Sequence, residues 1–169
     1  MKILKLTLFL AIVAGLSGAA LSFVFDMTDP IIQEQKIASE RENLVKIYAS
    51  AEFVAVEDTD TSKYPSIQGI YEAKGLGYVY KCSVKGYGGP VVYLVALDND
   101  GTYKGFEVID CSNETKGFGS KVAEQPFKDS VVGKNIGDPV DTITGATATS
   151  GPVVAGIEEA SAHYEENFK

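Results

Sequence analysis

The sequence predicts an α+β protein with one N-terminal transmembrane helix and a single extracytoplasmic domain, an antiparallel sheet with packed helices. Three observations carry this. Residues 6–25 hold no charged side chain. Residues 67–110 alternate β-branched and aromatic runs with glycine turns, the pattern of strands joined as hairpins. The chain closes on an apolar stripe of helical period, Val153, Ile157, Ala160 and Tyr164. Adjacent hairpins give an antiparallel sheet, so the domain is α+β rather than a parallel βαβ fold.

Composition narrows the function classes. The chain has 169 residues, enough for one domain with a real core. Asp and Glu total 23 against 15 Lys and Arg, a net charge of −8, which argues against nucleic acid as a partner because phosphate contacts need a basic face. A single histidine, His163, and two cysteines argue against a His/Cys zinc or haem site. No loop resembles an EF-hand, and no metal site or catalytic constellation is expected.

As a helix, residues 6–25 reach about 30 Å, the thickness of a hydrocarbon core. Lys2 and Lys5 precede the run and Asp26 and Asp29 follow it, so the N-terminus is expected in the cytoplasm. Ser17-Gly18-Ala19 resembles a signal-peptide cleavage site, but the apolar run exceeds an h-region of about 7–15 residues, which favours an uncleaved anchor. Ala11, Gly15 and Ala19, with Gly18 and Ser22 beside them, form a small-residue face on which another membrane helix can pack.

The anchor is assigned to residues 1–28 and an amphipathic stalk helix to 29–52. Asp29-Pro30 starts the stalk, and Ile37, Leu44, Tyr48 and Ala51 are its apolar stripe. The folded domain is assigned to 53–169. Phe53–Val56 reads as a short strand and residues 58–66 as a surface loop. Strands are expected at Ile67–Tyr71, Tyr78–Val84, Val91–Leu97 and Tyr103–Asp110, with Asp98-Asn99-Asp100-Gly101 as a hairpin turn. Cys82 and Cys111 fall at strand ends, where two free thiols are favoured over a disulfide. Residues 120–132 hold one or two helical turns with Val122, Phe127 and Val131 inward. Ser150-Gly151-Pro152 reads as a helix start, and Glu158, Glu159, Glu165 and Glu166 are expected in solvent.

The chemistry-bearing stretch is Asp141–Ser150, a threonine-rich loop that feeds the last helix. Backbone N–H groups and the helix dipole suit a phosphate there. Threonine and serine are also common helix caps, so composition alone leaves open that the loop only caps the helix. Two glycines flank Phe118, which is either a stacking surface for something flat or a core side chain. The Gly-x-Gly pairs at 75, 86 and 117 lack the third glycine of a dinucleotide fingerprint, and no P-loop is present.

Three motifs in one order resemble the FMN-binding domain family, and within it the Rnf-complex branch, over nearly the whole chain. Asp141-Thr142-Ile143-Thr144-Gly145-Ala146-Thr147-Ala148-Thr149 resembles the family's flavin attachment pattern. Lys85-Gly86-Tyr87-Gly88-Gly89-Pro90 and Glu114-Thr115-Lys116-Gly117-Phe118-Gly119 resemble two further elements, the second departing from the family at Lys116 and Phe118. The resemblance implies covalent FMN as a phosphoester on Thr147, with Thr144, Gly145, Ala146 and Thr149 around the phosphate. It implies Glu114, Thr115, Gly117, Phe118, Gly119, Tyr87 and Gly88 around the ring. It further implies other membrane subunits of an Rnf-type complex as partners and a flavin transferase that loads the cofactor. A stand-alone membrane-anchored flavoprotein of extracellular electron transfer and a non-redox binding domain are the alternatives.

Overall fold

The structure, a computed structural model, describes residues 42–49, 51–56 and 59–169, with positions 5, 7–11, 13–15, 17, 18 and 22. These N-terminal positions are helical and exposed. Among the described residues no helix is long and apolar enough to cross a membrane. The expected anchor is described only at those positions and the expected stalk only from residue 42; the rest of both lies outside the described residues.

Arg41–Lys169 forms one compact unit. It opens with a helical segment, α1, described over 42–47. Five strands follow, β1 (Phe53–Ala55), β2 (Ile67–Ala73), β3 (Gly77–Lys85), β4 (Pro90–Asp98) and β5 (Tyr103–Asp110). They form one sheet in the order β1-β2-β3-β4-β5, every pair antiparallel. The sheet is therefore a meander, as the hairpin signals predict. At the β4–β5 turn Gly101 has φ +85°, and its N–H reaches the Asp98 carbonyl at 2.9 Å. A short 3-10 helix (Gly119–Ala123) and helices α2 (Gln125–Val131) and α3 (Thr147–Asn167) complete the domain.

The continuous apolar run of β4 has a packing cause. Alternate residues face opposite sides of a strand, and here both sides are covered. Val91, Tyr93, Val95 and Leu97 join Val153, Ile157, Ala160 and Tyr164 of α3 in the main core. Leu94 and Ala96 face the other way, in a second cluster with Leu44 and Tyr48 from α1 and the turn after it. Val122, Phe127 and Val131 are buried, as their spacing predicts, and close the main core over β5.

Three details differ from the sequence reading. Helix α3 begins at Thr147, and Pro152 lies inside it rather than at its start. Gly145, at φ +82°, turns the chain, and the Ala146 carbonyl then accepts the N–H groups of Thr149 (3.0 Å) and Ser150 (2.9 Å), so the helix is nucleated before the proline. The bond that Pro152 cannot donate would go to Ala148, which is exposed and can be solvated. Cys82 sits in the middle of β3, opposite Tyr93, not at a strand end. Both cysteines are free. Glu159 is half-buried and accepts from the Ser66 backbone N–H (3.0 Å) and hydroxyl (2.6 Å), which ties the 59–66 loop to α3.

Candidate functional site

At the N-terminal end of α3, three segments far apart in sequence converge. The β3–β4 turn, residues 86–89, is closed by the Gly86 N–H on the Gly89 carbonyl at 2.8 Å. The segment after β5 turns at Cys111–Glu114 (3.0 Å) and again at Thr115, whose carbonyl accepts from Phe118 (3.1 Å) and Ser120 (3.3 Å). Gly117 makes this second turn possible, with φ +75°. The third segment is residues 145–149 of the α3 start.

Between them lies a solvent-open cavity of about 250 Å³, lined by Tyr87, Glu114, Thr115, Phe118, Gly119, Gly145, Ala146, Ala148 and Thr149. Eight of these nine were expected from sequence. Ala148 was missed, because a small residue in the first turn of a helix carries no pattern of its own. Gly88 stands beside the cavity, packed under the Asn113 carbonyl. Gly117, Thr144 and Thr147 adjoin lining residues in the chain without lining the cavity themselves.

The two rings at this site are on its rim. Tyr87 is 78% exposed and Phe118 58% exposed, the opposite of core aromatics. Phe118 is thus not a core side chain. Exposed rings beside an open cavity offer faces for a flat ligand.

The hydroxyls of the threonine-rich loop divide into two groups. Thr149 and Ser150 are buried and engaged. Thr149 donates to Glu114 Oε2 at 2.6 Å; Ser150 Oγ accepts the Ile143 N–H at 2.9 Å and donates to the Ala146 carbonyl at 3.1 Å. The Thr149 hydroxyl, expected near the phosphate, is here donated to Glu114. Thr142, Thr144 and Thr147 are exposed. Of these, only Thr147 is helical, between two cavity-lining alanines. As the first residue of a 21-residue helix, it has neighbouring N–H groups without intrahelical partners, beside the positive end of the dipole. Ala146 occupies the N-cap and no side chain caps α3, so capping does not explain the threonines.

Glu114 is buried, yet its carboxylate points at protein dipoles. Oε1 accepts the N–H groups of Gly88 (2.9 Å) and Gly89 (3.3 Å), and Oε2 accepts the Thr149 hydroxyl. The expected bond from Glu114 to a ring edge has competition from all three donors.

An open cavity with exposed aromatic rims, set against a helix start with a free hydroxyl, offers stacking faces for a flat ligand and amide donors for an anion. Residues 86–162 match the family model of the FMN-binding domain. The chain is 26% identical over 170 residues to the component designated G in the proton-translocating ferredoxin:NAD(+) oxidoreductase complex of Clostridium ljungdahlii, a match covering 94% of this chain and 90% of that protein. Its fold is similar to the crystal structure of the component designated C in the Na(+)-translocating NADH-quinone reductase of Parabacteroides distasonis, with a TM-score of 0.50 at 22% identity, over 69% of this chain and 76% of the other.

Proposed function

We propose that this chain is the FMN-carrying electron-transfer subunit of a membrane complex that couples electron transfer between ferredoxin and NAD⁺ to ion translocation. The similarity to a component of such a complex along 94% of the chain supports this. Residues 1–28 would anchor it with the N-terminus in the cytoplasm, 29–52 would be the stalk, and 53–169 would carry FMN outside the membrane. The uncharged run at 6–25 supports the anchor.

The observation that carries the cofactor assignment is the exposed Thr147 side chain at the first position of α3. FMN is proposed to be held by a phosphoester to Thr147 Oγ1. A flavin transferase would form it from FAD: the threonine oxygen bonds to the FMN phosphorus, the pyrophosphate bond breaks, AMP leaves, and the hydroxyl proton passes to a base of the transferase. The first N–H groups of α3 and the Thr144 hydroxyl would bond the phosphate. Tyr87 and Phe118 would flank the ring, while Thr115 and Gly119 line its slot. The bound flavin would supply the redox chemistry, and the residues of this chain would hold it.

Intact mass and in-gel flavin fluorescence after denaturation test the reading. Protein from its native host should carry one FMN increment, and Thr147→Ala should lose it with the fold retained. Native-host protein without flavin overturns the assignment.

A further inference from the structure

We propose that Glu114 is a positioning residue that sets the width of the flavin slot, acting through protein dipoles rather than through the ring. This deepens, and rests on, the FMN reading above. Glu114 is 5% exposed and accepts three hydrogen bonds from two other segments of the chain. Those bonds reach the β3–β4 turn on one oxygen and the first turn of α3 on the other. The Tyr87 N–H adds a longer contact to Thr149 Oγ1, at 3.4 Å. One carboxylate therefore joins the loop bearing Tyr87, the loop bearing Phe118 and the helix bearing Thr147.

The surrounding glycines give independent support. A methyl group on Gly86 would run into Glu114 Oε1, and one on Gly119 into Oε2. On Gly119 it would also come within 2.8 Å of Thr149 Oγ1. Two backbones are thus drawn against the carboxylate as closely as glycine allows. A group packed this tightly has little capacity left for a ligand, but it fixes the separation of the rim rings.

The energetics agree. Three donors facing one buried carboxylate replace its water, and losing one partner leaves buried polar groups unpaired. The Glu114→Leu variant keeps most of the volume but removes both acceptor oxygens, so the two backbone N–H groups and the Thr149 hydroxyl all lose their partner.

The test separates this role from direct contact with the flavin. Amide hydrogen exchange is measured first on flavin-free protein made in a host without the transferase. Exchange at residues 87–89 should rise at least tenfold in Glu114→Leu, while the Tyr93–Ala96 amides of β4 stay protected. Flavin fluorescence quenching by iodide is then measured on loaded protein. Glu114→Leu should raise the quenching constant, and adding Thr149→Val should raise it no further, because the Thr149 hydroxyl has already lost its acceptor. Unchanged exchange at 87–89 with a shifted flavin potential in Glu114→Leu alone overturns the proposal and places the carboxylate on the ring. If wild-type protein carries no flavin, the FMN reading fails, whereas the exchange experiment still decides whether Glu114 holds the loops.

Discussion

Tyr80 and His163 meet inside the main core, with the tyrosine hydroxyl 3.1 Å from His163 Nδ1. The other ring nitrogen, Nε2, is buried without a hydrogen-bond partner. The imidazole lies edge-on to Tyr64 and Tyr80 and near Phe168. Burial holds its pKa below the ordinary value of 6.5, against the opposing fields of Glu166 and Asp60.

A pH dependence follows from that depression. The unfolded chain takes up a proton near pH 6.5, while the folded chain resists it. The unfolded state therefore binds more protons as pH falls through this window, and stability falls with it. Above pH 6.5 this contribution is complete and flat. Glu166 is held below its ordinary 4.5 by bonds from Tyr64 and Lys63, so its own loss begins only below that value. Urea midpoints measured at pH 7.5 and pH 5 should drop for the wild type. His163→Gln should remove most of that difference; an undiminished drop would assign it elsewhere.

The site itself offers a steric test. A methyl group on Gly119 would collide with the Glu114 carboxylate, which cannot retreat without releasing Gly88, Gly89 or Thr149. Overpacking of this kind costs about 1–3 kcal/mol. Gly119→Ala should lower the melting temperature and reduce the fraction of chains that acquire flavin. Gly117→Ala is strained for a different reason, its positive φ, with open space around it. It should destabilise the loop without moving Glu114. Equal exchange rates at residues 87–89 in the two variants would contradict this distinction.

The thiols give a third expectation. Cys82 is fully buried beneath α3, and desolvation pushes its pKa up to about 12. Cys111 is half-buried, its pKa also raised by burial and then by Asp110 and Glu114. The thiolate is the reactive form, so native protein should react slowly at Cys111 and not at Cys82 with a thiol reagent. Denaturation should release both. A native count of zero that rises only on reduction would mean a disulfide.

The legible parts of the sequence were those governed by local rules. Asp98-Asn99-Asp100-Gly101 is a turn by its own chemistry, and β5 runs from Tyr103 to Asp110 as expected. The cavity residues were legible through motif resemblance, not through spacing. Pro152 misled the helix start because a proline usually marks a first turn; here the Ala146 carbonyl starts the helix sooner. Glu159 was misread because its partner, Ser66, comes from another element, and the Thr149–Glu114 bond was hidden for the same reason. No local pattern reveals that a carboxylate at 114 will meet amides at 88 and 89.

The lower face of the sheet yields the last prediction. Leu44 and Tyr48 are buried against Ala73, Val79, Leu94 and Ala96. The Tyr48 hydroxyl donates to Asp98 Oδ1 at 2.6 Å, and burial together with that bond raises its pKa. The end of the expected stalk is thus the cover of a second core. A chain beginning at residue 53 would leave Val79, Leu94 and Ala96 without that cover. Losing the burial of even one such side chain, as in Leu44→Ala, costs about 2–5 kcal/mol, a large share of the roughly 5–15 kcal/mol that holds a domain folded. A chain beginning at residue 41 should fold and melt cooperatively, whereas one beginning at 53 should aggregate or bind a hydrophobic dye. Tyr48→Phe keeps the packing and loses one bond, so its cost should be nearer 1 kcal/mol. Equal melting temperatures for the two truncated chains would show that α1 contributes nothing to the domain.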